Sequence, residues 1–183
     1  MAVMAQFSAS LGSPIGGGFT TNPVTWSAES REIDASKVEI SLNADILEGW
    51  HLYSQHQNGT GLPLKLGIES LTPNSSLFPN GHQHVLNPNW IETPTYTEVF
   101  EPILKTTERY LTGEATFTTT VSRLSTDSFT VVINISGQAC QDDGMCVPIE
   151  ETITVQVPAT SAEMLAASAE NSEENLLWFF LLA

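Results

Sequence analysis

Basic residues are scarce in this chain: 6 Lys and Arg stand against 21 Asp and Glu among 183 residues, a formal net charge of −15. A surface of that sign repels nucleic acid and anionic lipid headgroups, so neither is expected as a partner. Cysteine is sparse too. Cys140 and Cys146 are the only two, and without a second pair at metal-ligand spacing no structural zinc site is expected. The first ten residues, MAVMAQFSAS, lack the basic start and long apolar run of a complete signal peptide, although Val3-Met4-Ala5 and Phe7-Ser8-Ala9 have the small-residue character of a cleavage region. Sustained helical periodicity is also missing before residue 160. What is present is 41% hydrophobic residues, too many for a disordered chain and enough for one sizeable core with tails.

Both cysteines lie in one stretch, 138–148 (QACQDDGMCVP), with five residues between them. Upstream FTVVINIS (129–136) and downstream VPIEETITVQV (147–157) are β-branched with partial alternation, the pattern of strands. Asp142, Asp143 and Gly144 supply turn chemistry between them, Gly144 being suited to a positive φ. The simplest arrangement is a β-hairpin with one cysteine on each arm, which brings the two Cα atoms within disulfide reach, roughly 4.4–6.8 Å. A bridge across so short a loop removes little entropy from the unfolded chain. A plain staple therefore explains the pair poorly, and a redox-active pair at a hairpin end is the sharper reading. Cysteines so placed fit an oxidising or redox-managed compartment better than cytosol.

Taken in order, residues 1–22 read as a flexible leader, Gly-rich over 11–22. An edge strand is expected over 24–30. In 37–47 (KVEISLNADIL), Val38, Ile40, Leu42, Ala44 and Ile46 share one face, the clearest half-buried strand of the chain. In EGWHLYSQ (48–55) Gly49 turns the chain, and Trp50, Leu52 and Ser54 alternate with His51, Tyr53 and Gln55. Further strands are expected at 62–71, 90–100, 114–124 and 129–136, the last two joined as a hairpin through Ser125-Thr126-Asp127. The irregular stretch EPILKTTERYLT (101–112) packs on the rim of the core or covers something. His82 and His84 form a His-x-His within a loop at 74–89, but two ligands are a weak case for a metal, and no cofactor is expected. Met145 beside Cys146 suggests blue copper, yet no histidine follows the second cysteine closely. Residues 159–175 are small and acidic, a linker. The apolar end LLWFFLLA (176–183) is too short to cross a bilayer, which takes about 20 residues, and is read as the start of a transmembrane helix whose remainder lies beyond this chain. Roughly eight or nine short strands without a helical pattern make the fold all-β: an immunoglobulin-like antiparallel β-sandwich over 23–158 carrying a redox-active cysteine hairpin.

EGWHLYSQ near the front and ACQDDGMCVP near the back together resemble the N-terminal periplasmic domain of the DsbD family of transmembrane thiol:disulfide interchange proteins. In that family a Gly-aromatic-x-Leu-Tyr strand precedes a Cys-x5-Cys-x-Pro hairpin, and a transmembrane helix follows the domain. Gly49, Trp50, Leu52 and Tyr53 match the first element, and Cys140, Cys146 and Pro148 the second. The apolar end falls where the first spanning helix should start, and the resemblance covers about 24–158. It implies a protein-disulfide reductase domain in the periplasm, tethered to the bacterial inner membrane in the full-length protein. Electrons would come from a thioredoxin-like domain of the same protein and leave to periplasmic thioredoxin-fold oxidoreductases. Cys146 would enter mixed disulfides and Cys140 would resolve them, with Asp142, Asp143 and Met145 around the pair. His51 and Tyr53 occupy positions where the family places aromatic side chains beside the cysteines. The family's cap loop falls by position in EPILKTTERY, with Ile103 or Leu104 where the family has an aromatic and Phe100 or Tyr110 as alternative covers. With Asp142 and Asp143 in the loop and no Lys, Arg or His there, thiolate is disfavoured, so the free domain is expected to be a sluggish reductant until a partner docks.

The competing reading is a non-catalytic β-sandwich, an adhesion or ligand-binding module with a structural hairpin disulfide. Reducibility separates the two, because structural disulfides typically lie below about −300 mV and a relay pair must sit higher.

Overall fold

The computed structural model describes residues 22–70, 88–103, 105–123, 126–141, 144–163 and 165. In chain order its strands are β1 (Val24–Asp34), β2 (Lys37–Ile46), β3 (Trp50–Tyr53), β4 (Lys65–Ser70), β5 (Ile91–Thr93), β6 (Thr97–Glu101), β7 (Thr106–Leu111), β8 (Glu114–Ser122), β9 (Phe129–Gln141) and β10 (Cys146–Val157). They make two antiparallel sheets, one in the order β1-β2-β8-β5 and the other in the order β10-β9-β3-β7-β6, with β4 also paired to β9. The all-β sandwich expected from the alternation is therefore the fold, with ten strands among the described residues where eight or nine were expected.

Period-two patterning sets the core. Val38, Ile40, Leu42, Ala44 and Ile46 of β2 are all buried, as their spacing requires. With Phe117 of β8 they meet Val131, Ile133 and Ile135 of β9 and Ile149, Ile153, Val155 and Val157 of β10 in one cluster between the sheets. Each such Val, Leu or Ile contributes about 1.5–3 kcal/mol by leaving water. β9 is long enough to serve two neighbours on one side. Val131 to Ser136 pair with β4, and Ala139 to Gln141 pair with β3. Gly137 stands at the change of partner, where a Cβ would meet the Leu64 Cα at 3.2 Å.

Three local expectations need correction. Residues 90–100 form two strands in different sheets, β5 against β8 and β6 against β7. Pro94 lies between them and has no N–H to extend a ladder. The stretch read as irregular at 101–112 contains β7, whose burial pattern puts the carboxylate Glu108 where an apolar residue would have revealed a strand. β8 and β9 are not a hairpin, since they belong to opposite sheets. The loop histidines His82 and His84 and the apolar end 176–183 lie outside the described residues.

After β10 the chain is held against the first sheet. Arg123, just past β8, is buried and donates from Nη2 to the Pro158 carbonyl at 2.7 Å, while Nη1 faces Glu32 of β1 at 3.3 Å. Thr160 adds a backbone bond to the Thr126 carbonyl at 2.8 Å. The cysteine end of β10 is its opposite end.

Candidate functional site

Cys140 and Cys146 are direct cross-strand partners joined by a disulfide, with their Cα atoms 4.0 Å apart. The Gln141 N–H donates to the Met145 carbonyl at 2.7 Å, and the Gly144 N–H donates to the Gln141 carbonyl at 3.0 Å. Gly144 has φ +95°, the left-handed glycine that closes a three-residue hairpin connection. Because Gln141 and Met145 share a ladder bond, the next pair, Cys140 and Cys146, falls at a non-hydrogen-bonded position, where facing side chains come closest. The hairpin thus sets the two sulfurs side by side.

Parity decides which way they face. The odd residues of β9, from Phe129 to Ile135 and again Ala139, enter the core. Cys140 and Gln138 therefore point to the outer face, as do Cys146 and Pro148 opposite them. Cys140 is nevertheless only 2% exposed, whereas Cys146 is exposed. His51 of β3 pairs in register with Cys140 on its other side. The His51 ring lies 4.4 Å from Tyr110 and 5.5 Å from Tyr53, and those two tyrosines are themselves cross-strand partners. A row runs across the outer face from Cys146 through Cys140 to His51, flanked by two tyrosines. One sulfur is open and one is shut in.

The chain after β3 folds back over this face. The Ser54 hydroxyl donates to Glu92 at 2.8 Å, and the Leu62 N–H donates to the Gln138 side-chain oxygen at 3.1 Å. Between these anchors Thr60 and Gly61 bond to the buried Glu108. Burial works against the Glu108 charge, yet hydrogen bonds from Thr60, Thr106 and Gly61 outweigh it and hold the carboxyl at about 2, well under its ordinary 4.5. Tyr53 moves the other way. Burial, then the Glu108 charge, then Tyr110 push its phenol up.

Of the residues singled out in the sequence, Cys140, Cys146, His51, Tyr53, Tyr110, Met145 and Pro148 are gathered at this hairpin end and the face beside it. Phe100 and Ile103 are not. They belong to the β6–β7 hairpin, exposed at 61% and 86%. Leu111 of β7 is level with Leu52, next to His51, whereas that hairpin closes at Glu101 and Thr106, five residues or about 16 Å further along β7. Asp142, Asp143 and Leu104 lie outside the described residues. Glu108, Gly61 and Gln138 were missed by sequence reasoning. The one available signal was the close pair Gly59 and Gly61, since a Cβ at the first would strike Glu108 and at the second would strike the Tyr53 ring.

A family model described as Thiol:disulfide interchange protein DsbD, N-terminal, matches residues 24–158. No curated protein sequence matches the chain. Among solved structures the chain is similar to the N-terminal periplasmic domain of ScsB from Proteus mirabilis, with a TM-score of 0.52 and 11% identity over 81% of this chain and 53% of that one. This chain therefore spans about half the length of that neighbour, and at such identity the likeness is one of fold. The N-terminal domain of DsbD from Neisseria meningitidis, solved in its reduced form, is also similar, with a TM-score of 0.39 and 12% identity over 69% of this chain and 87% of that one.

Proposed function

This chain belongs to the family of the N-terminal domain of the thiol:disulfide interchange protein DsbD, and we propose that it relays reducing equivalents by thiol–disulfide exchange through Cys140 and Cys146. The observation that carries the proposal is the asymmetry of the pair, Cys140 at 2% exposure beside an exposed Cys146. Exchange proceeds by in-line attack through a mixed disulfide, so one sulfur must be reachable and the other close behind it. In the reduced domain the Cys146 thiolate attacks a partner's disulfide. A Cys146–partner bond forms, the partner's bond breaks, and its first thiolate takes up a proton. The Cys140 thiolate then attacks the Cys146 sulfur. The Cys140–Cys146 bond closes and the second partner thiolate leaves and is protonated. Two electrons and two protons have passed to the partner.

The reverse sequence recharges the pair. On this proposal the donor is a thioredoxin-like domain of the same full-length protein and the acceptors are periplasmic thioredoxin-fold oxidoreductases. The acidic linker 159–175 and the apolar end at 176–183, as the start of a transmembrane helix, would hold the domain at the periplasmic face of the inner membrane, with 1–22 a flexible leader. Asp142 and Asp143 would keep the free thiols idle by disfavouring thiolate.

A redox titration against a glutathione series, with thiol trapping of both cysteines, tests the proposal. The expected midpoint lies within reach of thioredoxin-like proteins, roughly −270 to −180 mV. Cys140→Ala is expected to accumulate a mixed disulfide through Cys146. A pair that stays oxidised in every reducing mixture overturns the proposal and leaves a structural staple in a binding module.

A further inference from the structure

Glu108 is a buried charge for which the exchange chemistry has no use. It lies on the outer face of β7, two residues before Tyr110. Among the described residues all its hydrogen-bond donors are neutral. Thr60 supplies its N–H and its hydroxyl, each 2.9 Å from Oε1, and the Thr106 hydroxyl reaches the same oxygen at 2.9 Å. The Gly61 N–H meets Oε2 at 3.3 Å, and the Gln57 side-chain amide completes the set. A buried carboxylate is costly unless it is satisfied in this way. Here the donors come almost entirely from one short loop, so charge and loop depend on each other.

The loop lies flat on what it covers. A Cβ at Gly59 would meet Glu108 Oε1 at 2.4 Å, and a Cβ at Gly61 would meet Tyr53 ring carbons at 2.2–2.5 Å. One residue later, Leu62 is tied through its N–H to Gln138, two residues before Cys140 on the same face of β9. The loop therefore runs from Glu108, across Tyr53, to the edge of the cysteine row, where the Leu62 side chain is 58% exposed.

We propose that Glu108 is a positioning residue for the cysteine pair: it fastens residues 57–61 over Tyr53 and so fixes the wall of Tyr53 and His51 that encloses Cys140. The proposal rests on the exchange reading, and it acts through the loop without contact to either sulfur. A fastened loop leaves Cys146 as the reachable sulfur, and a loosened one opens the outer face beside Cys140.

The test uses the full oxidised chain as wild type, Glu108→Gln and Gly61→Ala. The glutamine keeps the size of the side chain but places a nitrogen where loop donors point. The alanine leaves Glu108 intact and drives the loop off Tyr53. Reduction by dithiothreitol and by reduced thioredoxin is timed at a temperature where circular dichroism shows each protein folded. Both variants are expected to raise the dithiothreitol rate by about fivefold, the effect of a modest loss of ordering, and to raise KM for thioredoxin. Rates equal to wild type in a folded Glu108→Gln overturn the proposal, because a merely structural role would lower only the melting temperature. Should that variant not fold, Thr60→Val removes a single donor to Glu108 and decides in its place, unchanged rates again overturning the idea. Wild-type protein that neither reagent reduces would instead overturn the exchange reading itself.

Discussion

Among the described residues two charged side chains are buried in this sandwich, Glu108 and Arg123, and each holds a segment that belongs to neither sheet. Glu108 holds the loop over the cysteine row through neutral donors alone. Arg123 holds the chain beyond β10 through an ion pair with Glu32, the Pro158 carbonyl and the Thr160 hydroxyl, with the Phe129 ring 5.6 Å away. The difference follows from composition. A chain with 6 cations and 21 acidic residues has few partners of opposite sign to set beside a buried carboxylate. Backbone N–H groups and hydroxyls stabilise Glu108 instead. The two sites should therefore answer to different perturbations.

The largest effect is expected at Arg123. Arg123→Ala leaves Glu32 without its buried partner and frees residues 158–160, a loss of about 3–5 kcal/mol by urea unfolding. Unfolding within 1 kcal/mol of wild type would put the two buried charges on the same footing. Glu108 comes next, and pH is its probe. Its folded-state carboxyl titrates at about 2 against an ordinary 4.5, a depressed value. The corresponding stability is present above the unfolded value and is lost as pH falls from there through about 2. The difference amounts to about 3 kcal/mol. Glu108→Gln is expected to be less stable than wild type at neutral pH and to lack this acid component, so the two stability curves converge near pH 2. Parallel curves would detach the charge from the fold. The smallest effect belongs to the exposed pair of Arg31 and Glu39, 2.8 Å apart with Arg31 68% exposed. Arg31→Ala should cost about 0.5 kcal/mol or less, and salt should erase even that.

Most of the frame was legible because alternation is a local property. Val38 to Ile46, Ala115 to Val121 and Ile149 to Val157 announce strands without knowledge of their neighbours, and Cys140-x5-Cys146 around a Gly144 turn announces a hairpin. Sheet membership is not local. The step at Pro94 from one sheet to the other, and the separation of β8 from β9, depend on which edges remain open once the core has formed. Glu108 was illegible for a related reason. In TTERYL it reads as a solvated carboxylate, and only the return of residues 57–61 across β7 makes it a buried one. Ile103 and Phe100, placed by resemblance in a cap loop, lie in the exposed β6–β7 hairpin, a position that a linear motif does not specify.

One consequence follows from β10 alone. The strand begins with Cys146 and ends with Val157, a rise of roughly 36 Å at ordinary strand geometry, and beyond it the chain is pinned by Arg123. The cysteine pair and the Arg123 clasp thus lie at opposite ends of one strand. An anchor placed on residues 158–160 would therefore sit about one strand length from the exposed Cys146.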